Sequence, residues 1–460
     1  CISRQLWWGH RIPAYFLPEG GYVVAATPEE ALAKAKEKTG NAALTMEDLR
    51  QDEDCLDTWF SSWLWPISLF NGINDPNNEE INYYYPTSDL VTGPDIIFFW
   101  VARMIMAGYE YKGDMPFKNV YFTGIVRDKL GRKMSKSLGN SPDPLELIEK
   151  FGADGVRMGM MLAAPAGNDI LFDDALCEQG RNFCNKIWNA FRLIKGWTNG
   201  KGSIPVPPEA HLAVQWFDQR LDAAAVEVAD LFSKYRLSEA LMLVYKLFWD
   251  EFSSWYLEII KPAYGEGIPS SIHDCTLRFF DNLLHLLHPF MPFITEEIYC
   301  TLLPEEDSIM ISQWPVYTEE RSFPEAEKAV EGFKEAVRGI RNTRTEMNVP
   351  VNRKTSLYIV GRDADTCARY EACKRSFVNL AFSKEIQVQE TKEGIGEDAV
   401  SVVVSDAVVY LPLEDLVDRE KEIERLTKEQ ERLTKEIARC QGMLNNPNFV
   451  NKAPAAKVDA

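Results

Sequence analysis

Apolar residues along this chain follow three different spacings, and each spacing predicts a different kind of element. Between residues 235 and 261 they recur every three or four positions, which predicts one long amphipathic helix that Pro262 ends. Short continuous runs, such as residues 120–126 (VYFTGIV), predict buried strands. Across residues 416–444 the apolar positions repeat about every 3.5 residues, which is typical of a coiled-coil helix.

The order of these patterns predicts a mixed architecture. Residues 1–118 have α/β character, and residues 174–315 read as helices throughout. Residues 355–412 contain two β-rich runs, 356–360 and 402–404, separated by a polar helix. The sequence therefore predicts a multidomain protein of α/β and all-α parts that ends in a coiled-coil segment.

Composition narrows the class of protein. Of the 460 residues, 46% are apolar, as in ordinary globular proteins, and no apolar run is long enough to span a membrane. The net charge of −19 argues against a nucleic-acid partner for the chain as a whole, so basic residues matter where they cluster. The nine cysteines form no Cys-x-x-Cys pair, and His285 and His288 lack an evident third ligand. We therefore predict free thiols and no tightly bound metal.

Residues 132–140 (RKMSKSLGN), here called the KMSKS loop, carry the densest chemistry. They place Lys133, Met134, Ser135, Lys136 and Ser137 shortly after the apolar run 120–126. Open α/β sheets bind ligands beyond the carboxyl ends of their strands, and two ammonium groups among small hydroxyl residues suit a polyphosphate. A solvated basic loop is the alternative, but a chance match to this five-residue string is on the order of 10⁻⁴ per chain.

A capped helix is expected directly after this loop. Asp143 precedes Pro144 and stands three residues before Glu146, which is the arrangement favoured at a helix start. The KMSKS loop is therefore expected to lie between a buried strand and a capped helix.

A second candidate site follows another predicted strand that ends at Leu90 and Val91. Gly93 and Pro94 turn the chain, and Asp95 then stands at the head of an apolar helix. A carboxylate at a helix start is favoured by the helix dipole, so capping is one role. Binding an amino group or ribose hydroxyls at the strand end is the other, and spacing alone does not separate the two.

Basic residues cluster on one further predicted helix. Lys334, Arg338 and Arg341 follow one another at four and three residues, with Arg344 close behind. This spacing predicts a cationic face able to contact phosphates. A solvated charged face is the alternative.

Several of these motifs resemble those of one enzyme family. The KMSKS string, with Gly152-Ala153-Asp154 and Arg157 after it, resembles the second signature region of class I aminoacyl-tRNA synthetases. Residues 56–62 (LDTWFSS) and 92–104 (TGPDIIFFWVARM) look like the valine-specific branch of that family, and residues 181–189 and 288–297 resemble landmarks of its anticodon-binding bundle.

The resemblance implies roles for particular residues. Lys133, Ser135 and Lys136 would act catalytically on the phosphates, while Met134, Lys136, Gly93 and Asp95 would help to bind ATP, which enters with Mg²⁺. Trp59, Asp95 and Ile96 would line the amino acid pocket. The cationic residues Lys334, Arg338, Arg341 and Arg344 remain candidates for contact with tRNA.

The implied activity is ATP-dependent activation of valine and its transfer to tRNA(Val) in the cytoplasm. The first family signature, His-Ile-Gly-His, does not occur in the sequence, no editing domain is recognisable, and the chain opens on Cys1. We therefore expect a C-terminal fragment that does not catalyse alone and that is monomeric unless the coiled-coil helix pairs. The alternatives are a non-catalytic tRNA-binding module and an isoleucine- or leucine-specific relative.

The resemblance also suggests a division of the chain. Residues 1–140 would form the C-terminal half of a Rossmann catalytic domain and residues 141–175 a stem-contact linker. Residues 176–325 would form the anticodon-binding bundle, 326–412 a basic helix with a small α/β domain, and 413–460 the start of a coiled-coil tRNA arm.

Overall fold

The computed structural model describes residues 1–164, 167–197, 204–315, 317, 321–416 and 419–444. These residues divide into two compact units. The first contains residues 1–141 and 163–172, and the second contains residues 142–162 and those from 173 onward.

The first unit is built from short strands in small sheets. Strand β2 pairs with β3 and β4 in an antiparallel sheet, and β1 pairs with β5 in the same sense. Strands β6 and β7 are parallel, as are β8 and β9. The strands are β1 (Ser3–Arg4), β2 (Ala14–Phe16), β3 (Tyr22–Val24), β4 (Arg50–Gln51), β5 (Cys55–Leu56), β6 (Thr87–Thr92), β7 (Phe117–Phe122), β8 (Val126–Arg127) and β9 (Ile170–Leu171).

The helices of this unit are α1 (Pro28–Thr39), α2 (Trp59–Ser62), α3 (Trp65–Ser68), α4 (Glu79–Tyr84) and α5 (Ala102–Tyr111). Helix α5 continues from a 3₁₀ turn, Pro94–Ile96, and a π-helical turn, Ile97–Val101. A small core of Leu90, Val101, Met104 and Phe117 holds α5 against β6 and β7.

The predicted strand 120–126 was wrong in its extent. Strand β7 begins earlier, at Phe117, and the chain leaves it after Phe122 before β8 starts at Val126. At Gly124 the backbone passes so close to Asn168 that a Cβ atom would lie 2.1 Å from the Asn168 carbonyl oxygen. Residues 120–122 are half-buried rather than buried.

The second unit is mainly helical. Its helices as far as residue 346 are α6 (Pro144–Phe151), α7 (Ala153–Leu162), α8 (Asp174–Gly196), α9 (Pro208–Ser233), α10 (Leu237–Lys246), α11 (Leu257–Ile260), α12 (Ser270–Leu287), α13 (Pro292–Leu302) and α14 (Pro324–Glu346). The predicted helix start at Asp143 is confirmed, since its side chain accepts a hydrogen bond from the Leu145 N–H at 2.8 Å.

The long amphipathic helix predicted over residues 235–261 is confirmed from Leu237 to Ile260, although its middle, Leu247–Tyr256, is π-helical. Its predicted apolar face is buried at Leu241, Val244, Phe248, Phe252, Tyr256 and Ile260. Phe217 from α9 and Phe279 from α12 pack against these rings and close an aromatic core.

A four-stranded sheet follows the helices, in the order β11–β10–β13–β12. Strand β11 runs parallel to β10, and the other pairs are antiparallel. The two predicted β-rich runs form β10 and β12, whereas β11 and β13 were not predicted from the sequence. The elements are β10 (Thr355–Gly361), α15 (Ala364–Ala372), α16 (Lys374–Leu380), β11 (Ser383–Gln389), β12 (Val400–Val403), β13 (Ala407–Leu411) and α17 (Leu413–Leu416).

The coiled-coil repeat begins later than predicted. Leu416 lies in α17 and is 2% exposed, so it belongs to the core of the sheet region. The long helix is α18 (Arg419–Leu444), on which Leu433 and Ile437 are exposed. The sequence also predicts the end of this helix at Gly442 and Asn445-Asn446-Pro447. Helix α18 continues through Gly442 to Leu444, and residues 445–447 lie outside the described residues. In the described ranges no helix is both long and apolar enough to cross a membrane.

Candidate functional site

Two segments that carry predicted site residues begin at the same edge of the β6–β7 pair. Thr92 and Phe122 end the two parallel strands side by side, and the Thr123 N–H donates to the Thr92 carbonyl at 3.0 Å. The turn with Gly93 and Asp95 leaves β6 at this edge, and the segment toward the KMSKS loop leaves β7. The carboxyl edge of parallel strands is where open α/β sheets bind ligands.

Asp95 does not act as a helix cap within the described chain. Its side chain is exposed inside the 3₁₀ turn Pro94–Ile96, and neither this turn nor the π-helical turn after it has a side-chain cap. Gly93 makes room for the carboxylate, because a Cβ at this position would lie 2.7 Å from Asp95 Oδ1. Asp95 therefore makes no capping hydrogen bond, and its exposed carboxylate lies in the first turn, where the helix dipole favours it.

Trp59 opens α2, next to the π-helical turn that continues from Ile96. The Trp100 indole N–H donates to the Ser62 carbonyl at 3.1 Å and so ties this turn to α2. The Trp59 indole N–H donates to the Cys1 carbonyl at 3.0 Å, and the Arg103 guanidinium lies 4.4 Å from its ring centre. Three predicted pocket residues, Trp59, Asp95 and Ile96, thus lie on neighbouring elements.

The KMSKS loop is preceded by a tight turn built on Asp128. The Asp128 N–H donates to the Arg132 carbonyl at 3.1 Å, and Gly131 adopts the positive φ of 75° that the turn requires. Asp128 Oδ1 accepts from the N–H groups of Leu130 and Arg132, at 3.0 and 2.9 Å. Its Oδ2 accepts from the Asn140 amide at 3.0 Å and pairs with Arg132.

These contacts stabilise a charged Asp128. The Asn140 amide, followed by the backbone and guanidinium of Arg132, holds the pKa of this carboxyl well below its usual range. The sequence did not predict a role for Asp128 or Asn140, although Asn140 is the last residue of the KMSKS loop.

Within the loop, the Ser135 hydroxyl makes contacts with residues that follow it. Ser135 Oγ lies 3.1 Å from Ser137 Oγ and accepts from the Leu138 N–H at 3.3 Å. Lys133 is exposed, whereas Met134 and Ser135 are half-buried. Lys136 starts a 3₁₀ turn, Lys136–Leu138, and its side chain lies outside the described part of the structure.

The predicted cationic face of α14 is wrong for two of its four residues. Lys334 is 1% exposed, and its Nζ lies 2.9 Å from Glu251 Oε2 and 2.8 Å from Glu331 Oε1. Arg344 is 5% exposed and donates through Nη2 to the carbonyls of Pro350 and Arg353. Neither cation is available to a phosphate.

Helical spacing explains the correction. Arg344 follows Ile340 by four residues, so it lies on the face that also buries Val337. Arg338 and Arg341 remain exposed, and Arg341 Nε donates to the Leu380 carbonyl at 2.8 Å.

Asp154 and Arg157, which the sequence offered only as family markers, have a structural role. The Asp154 carboxylate is 5% exposed and accepts from the N–H groups of Ile294 and Phe293, at 2.7 and 3.4 Å, in the first turn of α13. Arg157 donates to the carbonyls of Phe290 and Pro289. Burial raises the pKa of Asp154, and the two backbone N–H groups oppose that rise. The pair fixes α7 to the start of α13.

Among the described residues, no three His, Cys, Asp or Glu side chains come together as metal ligands.

Three segments of the chain match models of known protein families, and together they identify the class of protein. Residues 1–173 match tRNA synthetases class I (I, L, M and V), and residues 214–359 match the anticodon-binding domain of tRNA ligase. Residues 418–460 match the valyl tRNA synthetase tRNA binding arm. The chain is also similar to LeuRS of Agrobacterium radiobacter K84 in its complex with tRNA and LeuAMS, with a TM-score of 0.52 and 20% identity over 69% of this chain and 42% of that one. This likeness shows a class I synthetase fold.

Sequence relatives narrow the class to one member. The valine–tRNA ligase of Bacteroides fragilis is 64% identical over 459 residues, covering 100% of this chain and 52% of the relative. That of Clostridium acetobutylicum is 43% identical over 465 residues, again covering 100% of this chain and 52% of the relative. The chain therefore belongs to the valine–tRNA ligase family of class I aminoacyl-tRNA synthetases. It spans about half the length of these curated relatives.

Proposed function

We propose that this chain is the part of a valine–tRNA ligase that supplies the phosphate-binding loop, one side of the amino acid pocket and a tRNA-binding surface. In the whole enzyme, valine and ATP-Mg²⁺ would give valyl-adenylate and pyrophosphate, and the valyl group would then pass to the terminal ribose of tRNA(Val). The observation that carries the proposal is the common carboxyl edge of β6 and β7. The Gly93–Asp95 turn and the segment toward the KMSKS loop both leave that edge.

The KMSKS loop would act on the phosphates of ATP. As pyrophosphate leaves, negative charge grows on the bridging and terminal oxygens, and the ammonium groups of Lys133 and Lys136 would stabilise it. Ser135 and the backbone at Met134 would hold the loop close to the same anion. Lys133 is exposed, as this role requires.

The turn after β6 would bind valine and the adjoining nucleotide. Asp95 is an exposed carboxylate able to pair with the substrate ammonium group, and Gly93 leaves space beside it. Trp59 and Ile96 would wall the side-chain pocket and exclude larger amino acids sterically. Such a pocket separates valine from threonine by only about 10²-fold, because the two side chains are isosteric.

Binding of tRNA would rest on the second unit and the arm. Arg338 and Arg341 are exposed cations of α14 and remain candidates for phosphate contact. The domain limits inferred from the sequence, at residues 140, 175, 325 and 412, also remain proposals. One hydrophobic core runs from the helical bundle into the sheet of β10–β13. It supports treating residues 176–325 and 326–412 as closely packed neighbours.

The proposal is tested by building this chain into the Bacteroides fragilis ligase in place of the matching 52% of that enzyme. We expect the chimera to catalyse valine-dependent exchange of pyrophosphate with ATP and to prefer valine over isoleucine and leucine. The 460-residue chain alone is expected to show no exchange and weak, salt-sensitive binding of tRNA in a gel shift.

Two results would contradict the proposal. A folded chimera without exchange would reject the catalytic role of this segment. A preference for isoleucine or leucine would assign the chain to those relatives instead.

A further inference from the structure

The Asn140 side chain makes two hydrogen bonds within the KMSKS loop and one to the turn before it. Its Oδ1 accepts from the Ser135 N–H at 2.9 Å, at the centre of the loop. Its Nδ2 donates to the Lys133 carbonyl at 3.3 Å and to Asp128 Oδ2 at 3.0 Å. One amide therefore joins the start and middle of the loop to the turn before it.

The backbone is shaped to make these contacts. Gly139 has a positive φ of 61°, which reverses the chain so that residue 140 faces the loop it has just left. At the other end, a β-bridge joins Arg127 to Lys133 across the Asp128 turn. The loop is thus closed on both sides, although both ends are near the protein surface.

We propose that Asn140 is a positioning residue that sets the backbone from which Lys133 and Lys136 reach the phosphates. This inference rests on the proposed function, since it assigns the amide a part in the adenylation step. Only a primary amide meets the requirement, because residue 140 must accept from one backbone N–H and donate to both a carbonyl and a carboxylate. An aspartate of the same shape cannot donate and would place a second negative charge beside Asp128.

The structural part is tested on the 460-residue chain itself by limited trypsin digestion, with cleavage after Lys133 and Lys136 followed by mass spectrometry. Loss of the Asn140 hydrogen bonds should favour local opening, so Asn140→Asp is expected to be cleaved roughly tenfold faster in the loop. Asn77→Asp, a substitution of the same chemistry at an exposed position of the same unit, should digest like the wild type.

A charge-exchanged double variant distinguishes loss of the hydrogen bond between residues 140 and 128 from a general loss of structure. In Asp128→Asn with Asn140→Asp, residue 128 becomes the donor and residue 140 the acceptor, so the bond between them is restored. The Ser135 N–H keeps its acceptor, whereas the bond to the Lys133 carbonyl and the ion pair between Asp128 and Arg132 are lost. We expect cleavage to return part of the way to the wild-type rate. Equal cleavage of Asn140→Asp and Asn77→Asp, or no recovery in the double variant, would overturn the assignment.

The catalytic consequence is tested in the chimera described above. Asn140→Asp should lower kcat for pyrophosphate exchange by roughly tenfold and leave the KM for valine unchanged, because the loop acts on the phosphates and not on the amino acid. An unchanged kcat in a variant whose loop opens faster would reject the positioning role. A chimera with no exchange before any substitution would instead reject the proposed function.

Discussion

Lys133 of the KMSKS loop and Lys334 of α14 are similar in the sequence and opposite in the structure. Each belongs to a short basic motif, and each was predicted to contact phosphate. Lys133 is exposed on a loop held by a few polar side chains, whereas Lys334 is 1% exposed between Glu251 and Glu331 and lies 4.6 Å from the Trp216 ring centre. The difference teaches that a cation is free for a ligand only where the fold leaves it without an internal partner.

Among the substitutions that test this comparison, the largest effect is expected on the rate of catalysis. In the chimera, Lys136→Ala should lower the rate of adenylation by roughly 10²–10³-fold, because a donor to the developing charge is lost. Valine binding and thermal stability should be nearly unchanged. Pyrophosphate exchange measures the rate, and Lys118→Ala on β7 is the matched exposed-lysine control. Equal losses in rate and in valine affinity would contradict a role in the transition state.

The next effect concerns the folded state alone. Lys334→Ala removes one member of a buried ion network and leaves Glu251, 19% exposed, without its closest cation. We expect a loss of about 3 kcal/mol in the free energy of unfolding of the second unit. Urea unfolding followed by far-ultraviolet circular dichroism measures this loss.

Lys328→Ala provides the control on the same helix, because Lys328 pairs with Glu325 at the surface. Its loss should stay below about 1 kcal/mol. If the two variants were equally stable, the buried network would not contribute as described. Trypsin cleavage in the KMSKS loop should be the same in both.

The smallest expected effect is the pH dependence of the loop. Because the pKa of Asp128 is lowered in the folded chain, its carboxylate stabilises the loop above the pKa of an unfolded aspartate, about 3.9. That contribution is lost as the pH falls through the still lower folded value. Hydrogen exchange at the Ser135 amide, corrected for intrinsic rates, should show constant protection between about pH 5 and 8 and a loss only below about pH 4.

Asp128→Asn is the control for this experiment, since it removes the titrating group. An unaltered acid transition in that variant would show that another group is responsible.

Local chemistry explains why part of the fold and site could be predicted. The Asp143 cap and the apolar face of residues 237–260 depend on neighbours within a few positions, and both are confirmed. The extent of β7 and the strands β11 and β13 were missed, because they depend on partners far along the chain. Arg344 could have been excluded from its spacing to Ile340 alone.

The sequence by itself determined the family motifs, the KMSKS loop and the helix that follows it, because short-range hydrogen bonds and spacing are sufficient for these. Tertiary structure decided which charges stay in water. It buried Lys334 against Glu251, which lies 83 residues earlier in the chain, and it left Asp95 exposed. It also placed Asn140 against Asp128, twelve residues away. The physical reason is that the cost of burying a polar group depends on where its partner lies in space.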